Sequence, residues 1–247
     1  MIEARNINKS FGDNHVLKDV TVKFRKGITN LVIGQSGSGK TVLLKCFVGL
    51  HEVDSGEIHY GDRIFSNMTW NERKEIRKEI GMLFQGGALF DYMTVEENVM
   101  FPLTMFSKMT LKERLDRVNF CLERVNLPGV NKLMPSELSG GMVKRVAIAR
   151  AIVMEPKYLF CDEPNSGLDP QTSNVIDKLI NELTQELNIT TVINTHDMNS
   201  VMEIGDHILF INKGQVWWEG NKEEILTTGN QEINDFVFAS KLAQKIK

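Results

Sequence analysis

An apolar run from Ile28 to Ile33 leads directly into a glycine-rich loop, GQSGSGKT, at residues 34–41. Apolar residues then recur at helical spacing from Val42 to Leu50. Strand, glycine loop and helix in this order form a phosphate-binding pattern. Glycines let the backbone N–H groups converge on phosphate, the lysine neutralises phosphate oxygens and the threonine hydroxyl binds Mg²⁺. The sequence therefore predicts a nucleoside triphosphate site rather than a flexible turn before a core helix.

Two carboxylates follow a second apolar run, Leu159 to Cys161, where the next predicted strand ends. Open parallel sheets place their active groups at such carboxyl ends. Asp162 is expected to hold the magnesium ion, and Glu163 to polarise the attacking water as a general base. His196 follows a further predicted strand and can contact the γ-phosphate by a hydrogen bond. Alone, such groups are often solvated turn residues, so the assignment depends on the phosphate loop upstream.

The segment LSGGM at 138–142 opens another predicted helix. Ser139 can cap this helix, and the glycine N–H groups at its N-terminus form a second anion site. The first nucleotide does not need this second site, which would serve a γ-phosphate held by a partner subunit. Gln85 follows a short apolar run, and its amide can reach the metal and the water.

In their order along essentially the whole chain, these motifs resemble those of ABC transporter ATPases. The resemblance implies catalytic roles for Gln85, Glu163 and His196. It implies Mg²⁺ ligation by Thr41, Gln85 and Asp162. The implied ATP-binding residues are, within one subunit, Phe11, Gly34, Gln35, Ser36, Gly37, Ser38, Gly39, Lys40, Thr41 and Val42 and, from the partner subunit, Ser139, Gly140, Gly141 and Asp169.

In family terms, residues 34–41 are the Walker A loop, 138–142 the signature and 166–169 the D-loop. The family implies a head-to-tail homodimer with two ATP molecules at its interface. Each ATP lies between one subunit's Walker A loop and the other's signature. The implied cofactors are ATP and Mg²⁺, and the implied partner is an integral-membrane permease.

The alternation of strand and helix patterns predicts an α/β fold with a mostly parallel sheet. The resemblance refines this to the P-loop NTPase fold of ABC ATPases, with an antiparallel β subdomain and a helical subdomain. It implies one ABC ATPase domain over 1–229, with the helical subdomain at about 86–155 inserted in a RecA-like core. Residues 230–247 are predicted to form a C-terminal helical extension that either clasps the neighbouring subunit or packs on its own core.

Charge and composition restrict the partners of this 247-residue chain. Its formal net charge is −3, so it lacks the basic surplus that binding to a nucleic-acid backbone requires. Cys46, Cys121 and Cys161 have no metal-ligand spacing and are expected to be reduced and buried. The apolar stretches are too short to span a membrane. We therefore expect a peripheral protein on the cytoplasmic face of the inner membrane, without a nucleic-acid partner.

The signature departs from the family pattern, which usually ends in Gln, because Met142 cannot donate an amide hydrogen bond. LSGGM followed by Lys144 and Arg145 is similar to ATPases of MCE-associated, Mla-type phospholipid transport systems. The stretch 85–99 is also similar to the corresponding stretch of these ATPases. This resemblance implies phospholipid transport between bacterial membranes, an MCE-domain lipid-binding protein in the complex, and a permease docked in a groove at 86–99. The candidate apolar contacts of that groove, unless they only pack the helical insertion, are Phe90, Tyr92, Val95 and Val99.

Two alternatives stay open. The chain could be an ABC ATPase for another transported substrate, or a soluble assembly ATPase of the iron–sulfur scaffold type that works without a permease. The intact stretch 85–99 and Glu163 favour a motor coupled to a permease. Substrate selection in this family belongs to the membrane subunits, so the sequence of this subunit does not reveal the transported molecule or its direction.

Overall fold

The computed structural model describes residues 1–237. Its strands, in chain order, are β1 (Ile2–Phe11), β2 (Asn14–Phe24), β3 (Thr29–Ile33), β4 (Ser55–Tyr60), β5 (Arg63–Ile64), β6 (Ile80–Leu83), β7 (Tyr158–Asp162), β8 (Thr190–Thr195), β9 (His207–Asn212) and β10 (Gln215–Gly220). Its α-helices are α1 (Lys40–Phe47), α2 (Trp70–Lys78), α3 (Val95–Phe106), α4 (Leu111–Arg124), α5 (Gly140–Ile152), α6 (Pro170–Glu186), α7 (Met198–Ile204) and α8 (Gln231–Val237). Short 3₁₀ turns lie at Phe65–Asn67, Pro135–Glu137 and Glu224–Leu226.

The strands form two sheets. The core sheet has the order β10-β9-β3-β8-β7-β6, and it is parallel except for β10, which pairs antiparallel with β9. The second sheet is antiparallel, with the order β2-β1-β4-β5. With the helices between β6 and β7, this architecture confirms the predicted α/β fold with a mostly parallel core sheet, an antiparallel sheet and a helical region.

Helices cover both faces of the core sheet. Every residue of β3, β7 and β8 is buried, as expected for parallel strands packed on both sides. Leu31 and Ile33 of β3 point to the side of α3–α6, whereas Val32 points to the side of α1 and the antiparallel sheet. The carboxyl ends of β3, β6, β7 and β8 therefore meet at one edge, and this edge carries the predicted site.

Capping explains where the middle helices begin. Thr69, Thr94 and Thr110 each precede a helix and accept a hydrogen bond from the N–H of a glutamate three residues later. Each glutamate carboxylate accepts in return from the N–H of its threonine, so these are complete capping boxes. These local contacts set the start of α2, α3 and α4. Helices α3, α4 and α5 pack on one another, whereas α2 packs against β6 of the core sheet.

The three cysteines lie where the sequence predicted, whereas Leu50 does not. Cys46, Cys121 and Cys161 are buried and unpaired, as predicted, and burial raises the pKa of the Cys121 thiol to about 11. Leu50 was expected on the buried face of the first helix, but it lies beyond the end of α1 and is exposed. The chain turns at Gly49, where φ is +71°, and this turn carries Leu50 away from the core.

The predicted C-terminal extension is described as far as Val237. Ile233 and Val237 of α8 are buried, and the Phe236 ring lies 5.4 Å from the ring of Phe210 on β9. This part of the extension packs on its own core. The other apolar side chains of the predicted extension, Phe238, Leu242 and Ile246, belong to residues 238–247, which lie outside the described residues. Among residues 1–237, no helix is both long enough and apolar enough to cross a membrane.

Candidate nucleotide site

The loop between β3 and α1 requires glycine at two positions. Gly34 has φ +148°, and a Cβ there would stand 2.2 Å from the Ile211 carbonyl oxygen. Gly39 has φ +107° immediately before α1, and a Cβ there would press on the side chain of Leu17 at 3.0 Å. The backbone can therefore follow this path only with glycine at both positions. The result is a loop wrapped around the N-terminus of α1.

Lys40 lies inside the curve of this loop. Its Nζ donates to the carbonyl oxygens of Gly34, at 2.8 Å, and Gln35, at 3.0 Å. Burial lowers the pKa of the Lys40 ammonium, while the charges of Glu163 and Asp162 oppose that shift. The Oγ of Ser38 is buried and has no hydrogen-bond partner among the described residues. A cation, a free hydroxyl and a helix N-terminus in one loop fit a bound phosphate group.

Asp162, at the end of β7, lies next to the first turn of α1. The Thr41 hydroxyl donates to Asp162 Oδ1 at 3.1 Å, and the Asn194 amide donates to the same oxygen at 3.2 Å. Only 8% of Asp162 is exposed. A hydroxyl and a carboxylate oxygen side by side form the hard donor set that Mg²⁺ prefers. The residues present therefore fit a magnesium ion at this place.

The Glu163 carboxylate is held from both sides. Gln85 Nε2 donates to Glu163 Oε2 at 3.0 Å, and His196 Nδ1 lies 3.1 Å from Glu163 Oε1. The Glu163 backbone is left-handed, with φ +47°, and its N–H donates to the Asn194 carbonyl at 3.0 Å. This strained conformation is uncommon for a residue other than glycine. Residues that follow β6, β7 and β8 thus converge on one carboxylate.

The segment that carries Gln85 is bound to α5 by two cations. Lys144 donates to the carbonyl oxygen of Gln85. Arg150 donates to the carbonyl oxygens of Gly87, at 2.6 Å, and Ala88, at 2.7 Å. Burial lowers the pKa of both cations. We call residues 85–88 together with Lys144 and Arg150 the Gln85 clamp.

These sites can now be compared with known proteins. Residues 17–166 match the family model described as ABC transporter. The chain belongs to the ABC transporter family. It is 37% identical to the methionine import ATP-binding protein MetN of Clostridium tetani, over 98% of this chain and 76% of that protein. It is 38% identical to the intermembrane phospholipid transport system ATP-binding protein MlaF of Haemophilus influenzae, over 96% of this chain and 90% of that protein.

A solved relative supports the same assignment. The ATP-binding cassette MJ0796, in a dimeric post-hydrolysis state bound to ADP and Pi, superimposes with a TM-score of 0.82 and 31% identity. The alignment covers 90% of this chain and 99% of MJ0796. The present chain is therefore the ATP-binding and ATP-hydrolysing cassette of an ABC transporter. Cassettes of this family dimerise and work with membrane permease components.

In this ABC ATPase, the signature is turned towards the D-loop. Ser139 caps α5 and accepts from the N–H of Met142 at 3.3 Å. A Cβ on Gly141 would stand 2.7 Å from Thr172 Cγ2, so the signature packs closely on the start of α6. Asp169 caps α6 through the N–H groups of residues 171 and 172. Among the described residues, no hydrogen bond joins the signature to the Walker A loop of the same chain.

The aromatic side chain expected at adenine lies against two side chains, His51 and Lys9, from outside the Walker A loop. The ring of Phe11 is 45% exposed. Its centroid lies 5.2 Å from the His51 ring in an edge-on arrangement and 5.3 Å from Lys9 Nζ. The exposed ring face leaves room for a stacked base. Gly37, and the remaining Walker A residues Gln35, Ser36 and Val42, complete the loop and the first turn of α1.

The groove expected at 86–99 has a different lining from the predicted one. Val95 and Val99 are fully buried and pack the core between the helices, so they are not groove contacts. Tyr92 is 74% exposed, and its ring lies 5.8 Å from that of Phe90. A cavity lies beside Phe90 and extends outside residues 86–99; its other aromatic and basic lining residues are Phe84, Phe101, Phe106, Arg77, Lys78 and Arg150.

Two residues of the site escaped the sequence analysis. Asn194 contacts both Asp162 and Glu163, and an asparagine near the carboxyl end of β8 was the available signal. Arg150 lies two turns of helix after the signature, and nothing in its local pattern distinguishes it from a solvated arginine. Its role depends on the path of residues 87–88, which only the folded chain shows.

Proposed function

We propose that this ATPase works as a homodimer that hydrolyses ATP at two composite sites and drives a permease that moves phospholipid between bacterial membranes. The observation that carries the hydrolytic part is the Glu163 carboxylate, held at one oxygen by Gln85 and at the other by His196. The permease, substrate and composite-site parts are supported by relatives and by the surfaces described below.

Glu163 is the general base in this proposal. Its carboxylate accepts a proton from the water that attacks the γ-phosphate, while Gln85 and His196 fix its orientation. Lys40 and the Walker A N–H groups neutralise the phosphate oxygens. Thr41, Gln85 and Asp162 would hold Mg²⁺, which when bound neutralises charge on the β- and γ-phosphates. His196 then acts through a hydrogen bond to the γ-phosphate.

The second half of each site would come from the partner subunit. Ser139, Gly140 and Gly141 present N–H groups and a hydroxyl at the N-terminus of α5, a 13-residue helix that can attract an anion. Within residues 1–237, these groups make no hydrogen bond to their own Walker A loop, and the MJ0796 relative is a dimer. Asp169, at the start of α6, lies close to the signature and would approach the same interface.

The choice of phospholipid rests on the MlaF relative and on the signature ending in Met142. In this proposal the ATPase lies on the cytoplasmic face of the inner membrane. The permease docks in the cavity beside Phe90, and an MCE-domain lipid-binding protein completes the complex. The basic side chains of Arg77 and Lys78 line that cavity and suit an acidic group on the docking segment of the permease.

A specific comparison favours a second candidate, amino-acid uptake. The MetN relative is 37% identical over 98% of this chain, close to the value for MlaF. The nucleotide site does not discriminate between the two, because substrate contacts belong to other subunits. The difference must therefore be tested through what the ATPase binds.

The test is copurification of tagged Glu163→Gln protein with ATP from detergent-solubilised membranes of the source organism, with wild type plus ADP as the matched control. Mass spectrometry identifies the bound proteins and lipids. A permease, an MCE-domain protein and phospholipid enriched over the control would support the proposal. A permease with an amino-acid-binding protein would replace phospholipid by amino-acid uptake. Soluble partners alone would favour an assembly ATPase.

A further inference from the structure

A buried carboxyl group lies behind the site, between the D-loop and the helix that follows His196. Asp177, on the inner face of α6, is only 1% exposed. The side chains of Asn165, next to the D-loop, and Ser200, on α7, lie beside its carboxyl group. Asn165 Nδ2 donates to Ser200 Oγ at 3.0 Å. These three side chains therefore form one polar cluster in an otherwise apolar layer.

The cluster has more acceptors than donors. Both oxygens of Asp177 and the Oδ1 of Asn165 are buried without a hydrogen-bond partner among the described residues. One of the two N–H groups of the Asn165 amide is directed to Ser200. The second amide N–H and the Ser200 hydroxyl proton are the two donors that remain for three unpaired oxygens. Each buried acceptor left unpaired is costly, so this count indicates that a donor is missing from an ionised cluster.

The surrounding charges are also unfavourable to an anion. From α7, Asp197 and Glu203 face the group with negative charge, and from β7 the Cys161 thiol lies nearby. Lys178, the neighbour of Asp177 on α6, pairs with Glu203 instead, at 3.5 Å. Burial, followed by these like charges, raises the pKa of Asp177, although Ser200 and Asn165 oppose the shift.

We infer that Asp177 is a neutral carboxylic acid and a positioning residue that joins the D-loop to α7. Its O–H donates to Asn165 Oδ1, and its other oxygen accepts from the Ser200 hydroxyl. With Asn165 donating to Ser200, the three side chains then form a closed ring of hydrogen bonds. One proton thus satisfies every orphaned oxygen of the cluster.

The ring lies directly behind the groups that hold Glu163. Asn165 precedes Ser166, whose hydroxyl accepts from Gln85 Nε2 at 3.3 Å. Ser200 belongs to α7, which begins two residues after His196. Loss of the proton would therefore displace both partners of the general base. This step rests on the proposed roles of Gln85 and His196, whereas the protonation of Asp177 does not.

Two measurements on the purified full-length protein test the inference. The first is infrared spectroscopy at neutral pH, where a protonated carboxylic acid has its own carbonyl stretching band. The second is the pH profile of kcat for ATP hydrolysis. The variants are Asp177→Asn, which is isosteric and carries a permanent donor, and Asp177→Leu, which removes the ring. Glu182→Gln, on an exposed position of the same helix, is the matched control.

We expect the acid band in wild type and Glu182→Gln but not in Asp177→Asn. Wild-type kcat should fall as the pH rises through the pKa of Asp177, because the acid is neutral below it and charged above it. Asp177→Asn should keep kcat within about twofold at neutral pH and lose that fall. Asp177→Leu should lose about tenfold in kcat with little change in KM, because Asn165 and Ser200 are left without their hydrogen-bond partner. A tenfold loss corresponds to ~1.4 kcal/mol.

The outcomes separate the two parts of the inference. Identical infrared spectra for wild type and Asp177→Asn would overturn the neutral acid. An acid band together with unchanged kcat in Asp177→Leu would overturn the positioning role and leave the proposed general base intact. If Asp177→Leu fails to fold, Asp177→Asn still decides, because an alkaline fall of kcat shared with wild type contradicts a role for this proton.

Discussion

Replacing Lys144 by methionine tests whether the Gln85 clamp positions Glu163, the proposed general base. Methionine keeps an unbranched side chain of similar length but removes the ammonium group that donates to the Gln85 carbonyl. Lys144 is only 4% exposed, so water cannot readily replace the lost donor. Arg150 still binds the carbonyl oxygens of Gly87 and Ala88, so the loop stays attached to α5. The expected defect is a shift of Gln85 rather than loss of the loop.

The magnitude follows from two opposing effects. A hydrogen bond from a charged donor contributes about 1.5–3 kcal/mol. Part of this loss is offset, because methionine carries no charge and so has no desolvation cost. In wild type, that cost lowers the pKa of the Lys144 ammonium. We therefore expect a net loss of about 1–1.5 kcal/mol in the transition state, which corresponds to about a tenfold decrease in kcat. The KM for ATP should change less than about twofold, since Lys144 makes no hydrogen bond to the Walker A loop in the described part of the chain.

Steady-state ATP hydrolysis at saturating and limiting ATP separates kcat from KM. Lys144→Arg retains a donor of similar reach and should recover most of the activity, whereas Lys112→Met, at an exposed position on α4, is the matched control. A thermal melt checks that each variant is folded. Wild-type kcat in Lys144→Met would refute the clamp, and so would a tenfold rise in KM with kcat unchanged.

Three further outcomes are expected. Glu163→Gln should bind ATP with about wild-type affinity but lose at least ~100-fold in kcat, measured by nucleotide binding and phosphate release; retained turnover would remove Glu163 as the base. Gly34→Ala should lose ATP binding, because its Cβ would meet the Ile211 carbonyl, whereas Gly229→Ala, with open space at its Cβ and no left-handed backbone, should bind normally. Since the pKa of Asp177 is raised, the native state keeps a proton that the unfolded chain releases, so wild-type stability should fall as the pH rises from the ordinary pKa of an aspartate through the raised pKa of the folded state. Denaturant titration should show a weaker fall for Asp177→Asn; equal slopes would contradict the shift.

The sequence predicted those parts of the site that depend on local pattern. The strand–loop–helix around Gly34 and Lys40 has strict backbone requirements, so its residues can be recognised directly. Asp162 and Glu163 were placed correctly at a strand end because parallel strands end at one edge of the sheet. The capping boxes at Thr94 and Thr110 show why helix starts are equally readable.

Long-range contacts were not readable in the same way. The clamp joins Lys144 to a carbonyl 59 residues away, and the polar cluster joins Asn165 to Ser200, 35 residues away. Val95 and Val99 were candidates for a surface groove because an apolar helical stripe looks the same whether it faces a partner or the core. Only the packing of α3 against α5 shows that both side chains lie inside.

The convergence on Glu163 gives a physical basis for coupling hydrolysis to movement. Gln85 is fixed through α5, and α5 also carries the signature at its N-terminus. His196 precedes α7, which the cluster around Asp177 links to the D-loop. A shift of α5 caused by a docked permease or by a partner's nucleotide would therefore move Gln85 relative to His196. Both oxygens of the Glu163 carboxylate can be held only when the segments that carry Gln85 and His196 are correctly positioned relative to each other. Hydrolysis should therefore be fast only in that arrangement.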